Sequence, residues 1–80
     1  MLVKAKFKCE HIVDVDYGNN YGSRNVHFRA VYGDKEENAT YSKATPFGKL
    51  EMQIDKETAA YNYFIPGKDY YLTFEEAINE

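Results

Sequence analysis

The 80-residue sequence has no tryptophan, one cysteine, two prolines and only three leucines. Because Cys9 stands alone, an intramolecular disulfide and every metal site built from several cysteines are excluded. Since leucine is scarce, the eight tyrosines and five phenylalanines must supply much of the buried apolar area. Helical bundles usually depend on leucine, so this composition favours a mainly β protein.

Long apolar runs are also missing. No stretch approaches the roughly 20 apolar residues of a membrane span. The N-terminus alternates lysine with apolar residues, which is not the pattern of a signal peptide. A chain of this length forms one domain with a small core. We therefore expect a single cytoplasmic domain over residues 1–80, with no membrane partner and with a flexible acidic tail at residues 75–80.

An excess of positive charge is absent as well. The chain carries 10 basic and 13 acidic side chains, for a net charge of −3. General nucleic-acid binders normally need a strongly basic face. The charge balance therefore argues against such a protein, but it leaves room for a local basic stripe.

The first strand is the clearest element of the sequence. Between Val3 and Tyr17 the odd positions are mostly apolar and the even positions mostly charged, which is the period of two of a half-buried strand. A strand over residues 3 to 17 would span roughly 50 Å, too long to stay flat in so small a domain. We predict a bend or break near Glu10 to Ile12, where the alternation puts His11 inward and Ile12 outward.

Loops and strands alternate through the rest of the chain. The Gly/Asn-rich segment 18–23 and the charged segment 33–38 predict loops. Residues 45–48 predict a turn that closes a hairpin, and Asp55 predicts the N-cap of a short helix over residues 56–64. The remaining alternating segments predict four more strands, over residues 25–32, 40–44, 49–54 and 69–74.

Five strands and one short helix before the last strand predict a small barrel, because closure protects strand edges. An OB-fold usually places its helix between the third and fourth strands, whereas SH3-like barrels carry a helical turn before the fifth. The order of elements therefore favours a five-stranded SH3-like barrel, with an OB-like barrel as the alternative.

No catalytic apparatus is visible. The chain has no Gly-x-Ser-x-Gly elbow, no Gly-x-Gly-x-x-Gly motif and no phosphate loop. Cys9 and His11 share a strand face, but both are predicted to lie in the core. Asp14 and Asp16 precede a loop whose spacing does not match an EF-hand, and His11 and His27 lack a metal-ligand spacing. We expect no enzyme, no cofactor and no metal site.

Two sets of side chains suggest binding surfaces. Tyr71 is predicted to point outward beside Tyr41, and exposed tyrosines such as these and Tyr21 are typical of protein interfaces, although rings closing a barrel end are equally ordinary. The other set is a basic ladder with an aromatic ring that could stack on the bases of a single-stranded nucleic acid; its members are Lys4, Lys6, Lys8, Arg29 and Tyr17. Charged residues that solubilise an edge strand explain the ladder equally well.

The chain resembles a known group of proteins over most of its length, most clearly in its second half. Residues 64–74 read Phe-Ile-Pro-Gly-Lys-Asp-Tyr-Tyr-Leu-Thr-Phe, and residues 46–51 read Pro-Phe-Gly-Lys-Leu-Glu. With Val31-Tyr32 and Glu37-Asn38 upstream, they resemble small proteins of tailed bacteriophages and prophages that share a Phe-x-Pro-Gly-Lys-x-Tyr-Tyr-Leu-x-Phe segment. The resemblance implies a bacteriophage setting in the bacterial cytoplasm and implies no particular chemistry.

These observations favour a non-enzymatic phage-encoded adaptor that binds a host or phage protein. A single-stranded nucleic-acid accessory protein is the first alternative, and salt dependence separates the two. A protein that sequesters a small molecule or nucleotide is the second alternative. A homo-oligomer is also expected to be possible, because so small a domain has little core of its own.

Overall fold

The computed structural model describes residues 3–19, 21–33 and 35–78. Among them the chain forms four strands, one α-helix and one short 3₁₀ turn. In chain order these are β1 (Val3–Gly18), β2 (Tyr21–Ala30), α1 (Glu36–Ala44), β3 (Lys49–Asp55), the 3₁₀ turn (Ala59–Asn62) and β4 (Asp69–Phe74). The predicted mainly β architecture with one short helix is therefore confirmed.

The strands form one antiparallel sheet in the order β3-β2-β1-β4. The sheet is open, with β3 and β4 at its edges, so the prediction of a closed five-stranded barrel is wrong for the described residues. The missing strand is the one predicted over residues 40–44, which lies within α1. Barrel closure, whether SH3-like or OB-like, would need a fifth strand to join the two edges.

A helix forms at 36–44 because its end charges match the helix dipole and outweigh the β preference of Thr40 and Tyr41. Glu36 and Glu37 lie in the first turn, and Lys43 lies in the last turn. The charged connection predicted to end at residue 38 is correspondingly shorter, and Asp34 within it lies outside the described residues.

The predicted irregularity in β1 is confirmed, and it is a β-bulge at Glu10. Cys9 pairs with Phe28 and His11 pairs with His27, so one extra residue of β1 lies between the two pairs. The insertion reverses the alternation, and Ile12 consequently packs against the core whereas His11 is exposed on the opposite face. The prediction that His11 points inward and Ile12 outward was therefore wrong.

The core lies on one face of the sheet, which we call the core face, and the opposite side is the outer face. Its buried apolar residues are few and come from three of the strands: Ala5, Phe7, Cys9, Val26, Phe28, Ala30 and Ile54. Phe28 is central, since its ring meets Phe64 edge-on at 5.0 Å and Tyr70 at 6.2 Å between centroids. Aromatic packing takes the place of an aliphatic core, as the composition predicts.

Two predicted connections have a different form in the structure. The loop predicted at 18–23 is a tight turn, with Gly18 and Asn19 at φ 83° and 53°, and β2 already begins at Tyr21; Asn20 lies outside the described residues. The turn at 45–48 joins α1 to β3 rather than closing a hairpin. The tail is exposed over residues 75–78, and residues 79–80 lie outside the described residues.

The helix predicted after Asp55 is reduced to the 3₁₀ turn. The backbone N–H and the hydroxyl of Thr58 both donate to the Asp55 carbonyl, at 3.1 and 2.9 Å, and this turn delays the helix. Ala59 and Ala60 in this turn are exposed, whereas Tyr61 and Phe64 pack against the core.

The molecule is flat because a single sheet carries the core. Its principal extents are 46 × 36 × 17 Å, and its radius of gyration is 14.8 Å, against about 11.6 Å for a compact chain of this length. It exposes 6477 Å² of surface, whereas a compact monomer of this mass exposes about 5,000 Å². Part of the core face is not covered by the chain itself, since Leu50, Met52 and Leu72 remain partly exposed.

The central role of Phe28 is testable by truncation. We expect Phe28→Ala to lower the free energy of unfolding by about 3–5 kcal/mol, because it removes a buried ring that contacts both Phe64 and Tyr70. The same truncation at Phe47, whose side chain is 83% exposed, should cost less than about 0.5 kcal/mol. Urea denaturation followed by circular dichroism measures both, and equal losses would contradict this description of the core.

Candidate functional site

The outer face carries a polar cluster beneath α1, which we call the Glu37 cluster: Lys6, Glu37, Asn38 and Tyr71. The Lys6 ammonium donates to Glu37 Oε2 at 3.0 Å and to Asn38 Oδ1 at 2.6 Å. The Tyr71 hydroxyl donates to Glu37 Oε1 at 2.7 Å. Because α1 has no buried residue among those described, this cluster is a principal link between the helix and the sheet.

The hydrogen bonds of the cluster shift the pKa values of its members. Those from Tyr71 and Lys6 lower the pKa of Glu37, because they stabilise its carboxylate. The same bonds raise the pKa of Tyr71 and of Lys6, because each proton is held against an anion. Glu37 and Tyr71 are about half exposed, so water and salt moderate their coupling.

The tyrosines predicted to bind a protein are divided between two places. Tyr41 and Tyr71 do come together, with ring centroids 6.0 Å apart, but the Tyr71 hydroxyl is held by Glu37. Tyr21 lies at the β1–β2 turn, where it and Tyr17 are 63% and 67% exposed. The structure therefore does not join these three tyrosines in one surface.

The basic ladder predicted to bind nucleic acid is largely neutralised by neighbouring carboxylates. Lys6 is 13% exposed and pairs with Glu37. Two further members pair with acidic side chains: Lys8 with Asp69 at 3.9 Å, and Arg29 with Glu10 at 3.2 Å.

The remaining members of the ladder do not meet either. The Lys4 ammonium lies 4.2 Å from the centre of the Tyr71 ring, whereas Tyr17 is at the turn between β1 and β2. Tyr17 and the lysines therefore do not lie in one continuous groove, which the predicted stacking of bases on Tyr17 would need.

The polar residues considered as metal or catalytic groups are engaged elsewhere. Asp14 accepts two hydrogen bonds from Arg24, at 2.6 and 3.1 Å, and Arg24 lies 4.1 Å from the centre of the Tyr61 ring. The bonds from Arg24 lower the pKa of Asp14. Within residues 3–19, 21–33 and 35–78, three or more His, Cys, Asp or Glu side chains nowhere gather as a metal site.

Cys9 and His11 lie on opposite faces because of the bulge. Cys9 is fully buried, and burial raises the pKa of its thiol. The His11 ring stacks on His27 at 4.3 Å on the outer face. A thiolate nucleophile needs a nearby base and a lowered pKa, so this pair does not provide one.

The surface that the sequence did not reveal is an apolar depression on the core face, which we call the trough. It has a volume of about 70 Å³. Seven residues of this face line it: Phe7, Phe28, Leu50, Met52, Phe64, Tyr70 and Leu72. Phe64 closes one end, and it is held over Phe28 by its neighbours, since the Ile65 N–H donates to the Tyr70 hydroxyl at 2.8 Å.

Exposed apolar side chains lie at the end of the sheet where β1 begins and β2 ends. Val3 and Phe74 face each other across β1 and β4, and each is 55% exposed. Phe47 and Tyr32 flank the start of β3 and the end of β2, and they are 83% and 88% exposed. Apolar patches of this kind on a small protein are typical of a binding surface.

Comparison of the chain with protein-family models, with curated proteins and with solved structures found no match. Neither described helix is long and apolar enough to cross a membrane.

The link between α1 and the sheet should depend on pH through Glu37. Because the folded-state pKa of Glu37 is lowered, its contribution to stability is present above the ordinary pKa of 4.5 and is lost as the pH falls through the folded-state value. Glu37→Gln should therefore lower the melting temperature at pH 7 and have little effect at the acidic end. Thermal melts between pH 7 and about pH 3 measure this difference.

The matched control is Glu57→Gln, which removes the same charge from an exposed turn. It should leave the melting temperature nearly unchanged at every pH. A Glu37→Gln deficit of equal size at pH 7 and at the acidic end would contradict the assigned role of this carboxylate.

Proposed function

We propose that the protein is a non-enzymatic binding protein that takes up an apolar segment of a protein partner in the trough. The observation that carries the proposal is the half-covered core face. Leu50, Met52 and Leu72 are packed against the core yet remain partly exposed. A partner that covers them removes apolar surface from water, and this removal favours binding. The phage resemblance makes the partner a host protein or another phage component.

The size of the trough favours a protein segment over a small molecule. Small-molecule sites usually occupy about 300–1,000 Å³ and enclose most of the ligand. The trough offers about 70 Å³, which suits a single aliphatic or aromatic side chain projecting from a larger partner. A wider depression of about 340 Å³ has walls formed by Tyr32 and Phe47, whose side chains extend into solvent and do not enclose a ligand.

The surplus of exposed surface supports a macromolecular partner. The chain exposes 6477 Å², about 1,500 Å² more than a compact monomer of its mass. A standard protein interface covers about 800 Å² on each partner. Covering the trough together with the exposed Val3 and Phe74 would remove part of this surplus from water.

The distribution of charge favours a protein over a nucleic acid. Three members of the basic ladder, Lys6, Lys8 and Arg29, pair with Glu37, Asp69 and Glu10, and the net charge is −3. Phosphate binding would have to break these pairs, whereas an apolar segment would leave them in place.

A selection from random peptides displayed on a surface tests the proposal without a known partner. Peptides selected on the wild-type chain should share one large aliphatic or aromatic anchor, because the trough accepts one such side chain. Leu50→Asp should weaken their binding at least about tenfold, since it puts a charge into the lining. Titration calorimetry measures the affinities, and a circular-dichroism melt of each variant verifies folding.

Two further variants provide a milder change in the trough and a control on the outer face. Met52→Gln changes the lining more gently and should also weaken binding, whereas Gln53→Glu, on the outer face of the same strand, should not. Peptides that bind equally to wild type and to both trough variants would overturn the proposal.

A salt titration distinguishes the nucleic-acid alternative. Tyrosine fluorescence is followed while a single-stranded oligonucleotide is added at about 50 and 200 mM salt. We expect no quenching at either salt concentration. Strong quenching that is lost at the higher concentration would favour the alternative, in which Lys4, Lys8 and Arg29 contact phosphates.

A further inference from the structure

The outer edge of β4 presents unpaired backbone groups. The Cys9 N–H and carbonyl face β4, since they bond to Lys68 and Gly67 at 2.9 and 2.8 Å, whereas the Lys6 carbonyl faces β2 and accepts from Val31. Backbone groups alternate in direction along an antiparallel strand. Tyr70 and Leu72, which pair with Phe7 and Ala5, therefore bond to β1, and the N–H groups of Asp69, Tyr71 and Thr73 point to the open edge.

The two edges of the sheet differ in how they are protected. Three of the seven residues of β3 are charged, namely Lys49, Glu51 and Asp55, and charged side chains on an edge strand discourage pairing with another chain. In β4 the only charge is Asp69, at its first residue, and the segment 70–74 has no charge, proline or glycine. No other described segment forms a strand beside β4. The β4 edge is therefore the one suited to accept a further strand.

We propose that the partner at this edge is a second copy of the chain. The two β4 strands pair antiparallel about a two-fold axis and join two sheets into one of eight strands. A strand meeting its own copy at a two-fold axis necessarily runs antiparallel, so the same edge serves both chains. The core faces then lie on the same side of the joined sheet.

Electrostatics selects the register of the pair. If Leu72 were opposite its own copy, Asp69 would face the second copy's Glu75, and like charges directly opposite each other are destabilising. With Tyr71 opposite its own copy, Asp69 faces Thr73 and Tyr70 faces Leu72. This register also places the outward N–H groups of Asp69, Tyr71 and Thr73 in reach of carbonyl groups, for about six new hydrogen bonds.

The dimer is independent of the binding function proposed above. Pairing at β4 uses backbone groups at an edge, and it leaves Leu50 and Met52 of the trough uncovered. The two contacts use different parts of the sheet, because the dimer pairs the outer edge of β4 and the partner segment covers the core face. A trough variant and an edge variant can therefore fail separately.

Proline at position 73 tests the edge directly. Thr73→Pro removes one outward N–H and leaves the ladder to β1 intact, and proline is tolerated on an edge strand in this orientation. In sedimentation equilibrium the wild type should form a dimer between about 1 and 100 µM, and Thr73→Pro should raise the dimer dissociation constant at least about tenfold.

The matched control is Gln53→Pro on the β3 edge. The Ala30 N–H donates to Gly48, and the Lys56 N–H donates to Gly22, so the alternation directs the Gln53 N–H to solvent. This variant should dimerise like the wild type. A monomeric wild type at every concentration, or a dimer that persists in Thr73→Pro, would overturn the proposal. A dimer lost only in Leu50→Asp would show that the copies meet through their troughs instead.

If the proline variant does not fold, amide hydrogen exchange of the wild type tests pairing at the β4 edge. In the wild type the N–H groups of Tyr71 and Thr73 should become protected as the concentration rises, whereas that of Leu72 should be protected at every concentration. Fast exchange of Tyr71 and Thr73 at all concentrations would contradict edge pairing.

Discussion

β1 and β2 pair from Phe7↔Ala30 to Gly18↔Tyr21, and each remaining strand attaches to one edge of this hairpin. The bulge at Glu10 determines which side chains of β1 lie on each face of the sheet. By inserting one residue it brings Ile12 to the core beside Val26 and sends His11 to the outer face. Without the bulge, His11, Val13 and Val15 would lie on the core face, and Ile12 would lie on the outer face.

One-sided packing follows from the size of the chain. The sheet buries its aromatic core on one face only, and the 3₁₀ turn with Phe64 covers one end of that face. On the outer face α1 is held by the Glu37 cluster rather than by buried apolar contacts. The outer face therefore pairs most of its charged groups, and part of the apolar core face stays uncovered, which is the arrangement from which the proposed binding of a protein segment derives.

The sequence predicted the strands with strict alternation and the place of the bulge, since both depend on local pattern. It did not predict α1, because Thr40 and Tyr41 favour a strand while the end charges of the segment favour a helix. It assigned His11 and Ile12 to the wrong faces, because one inserted residue reverses all later positions. The trough lay beyond prediction: its lining comes from separate strands and from Phe64, and no local pattern brings these together.

The central claim is that the core face remains open in the isolated chain. It is tested most directly by NMR of the methyl groups in the presence of a soluble paramagnetic agent, at a concentration where the chain is monomeric. The account predicts strong broadening of the Leu50, Met52 and Leu72 methyl signals and none for Val26, which is fully buried. Equal protection of all four residues would mean that the face is covered, and it would contradict the account.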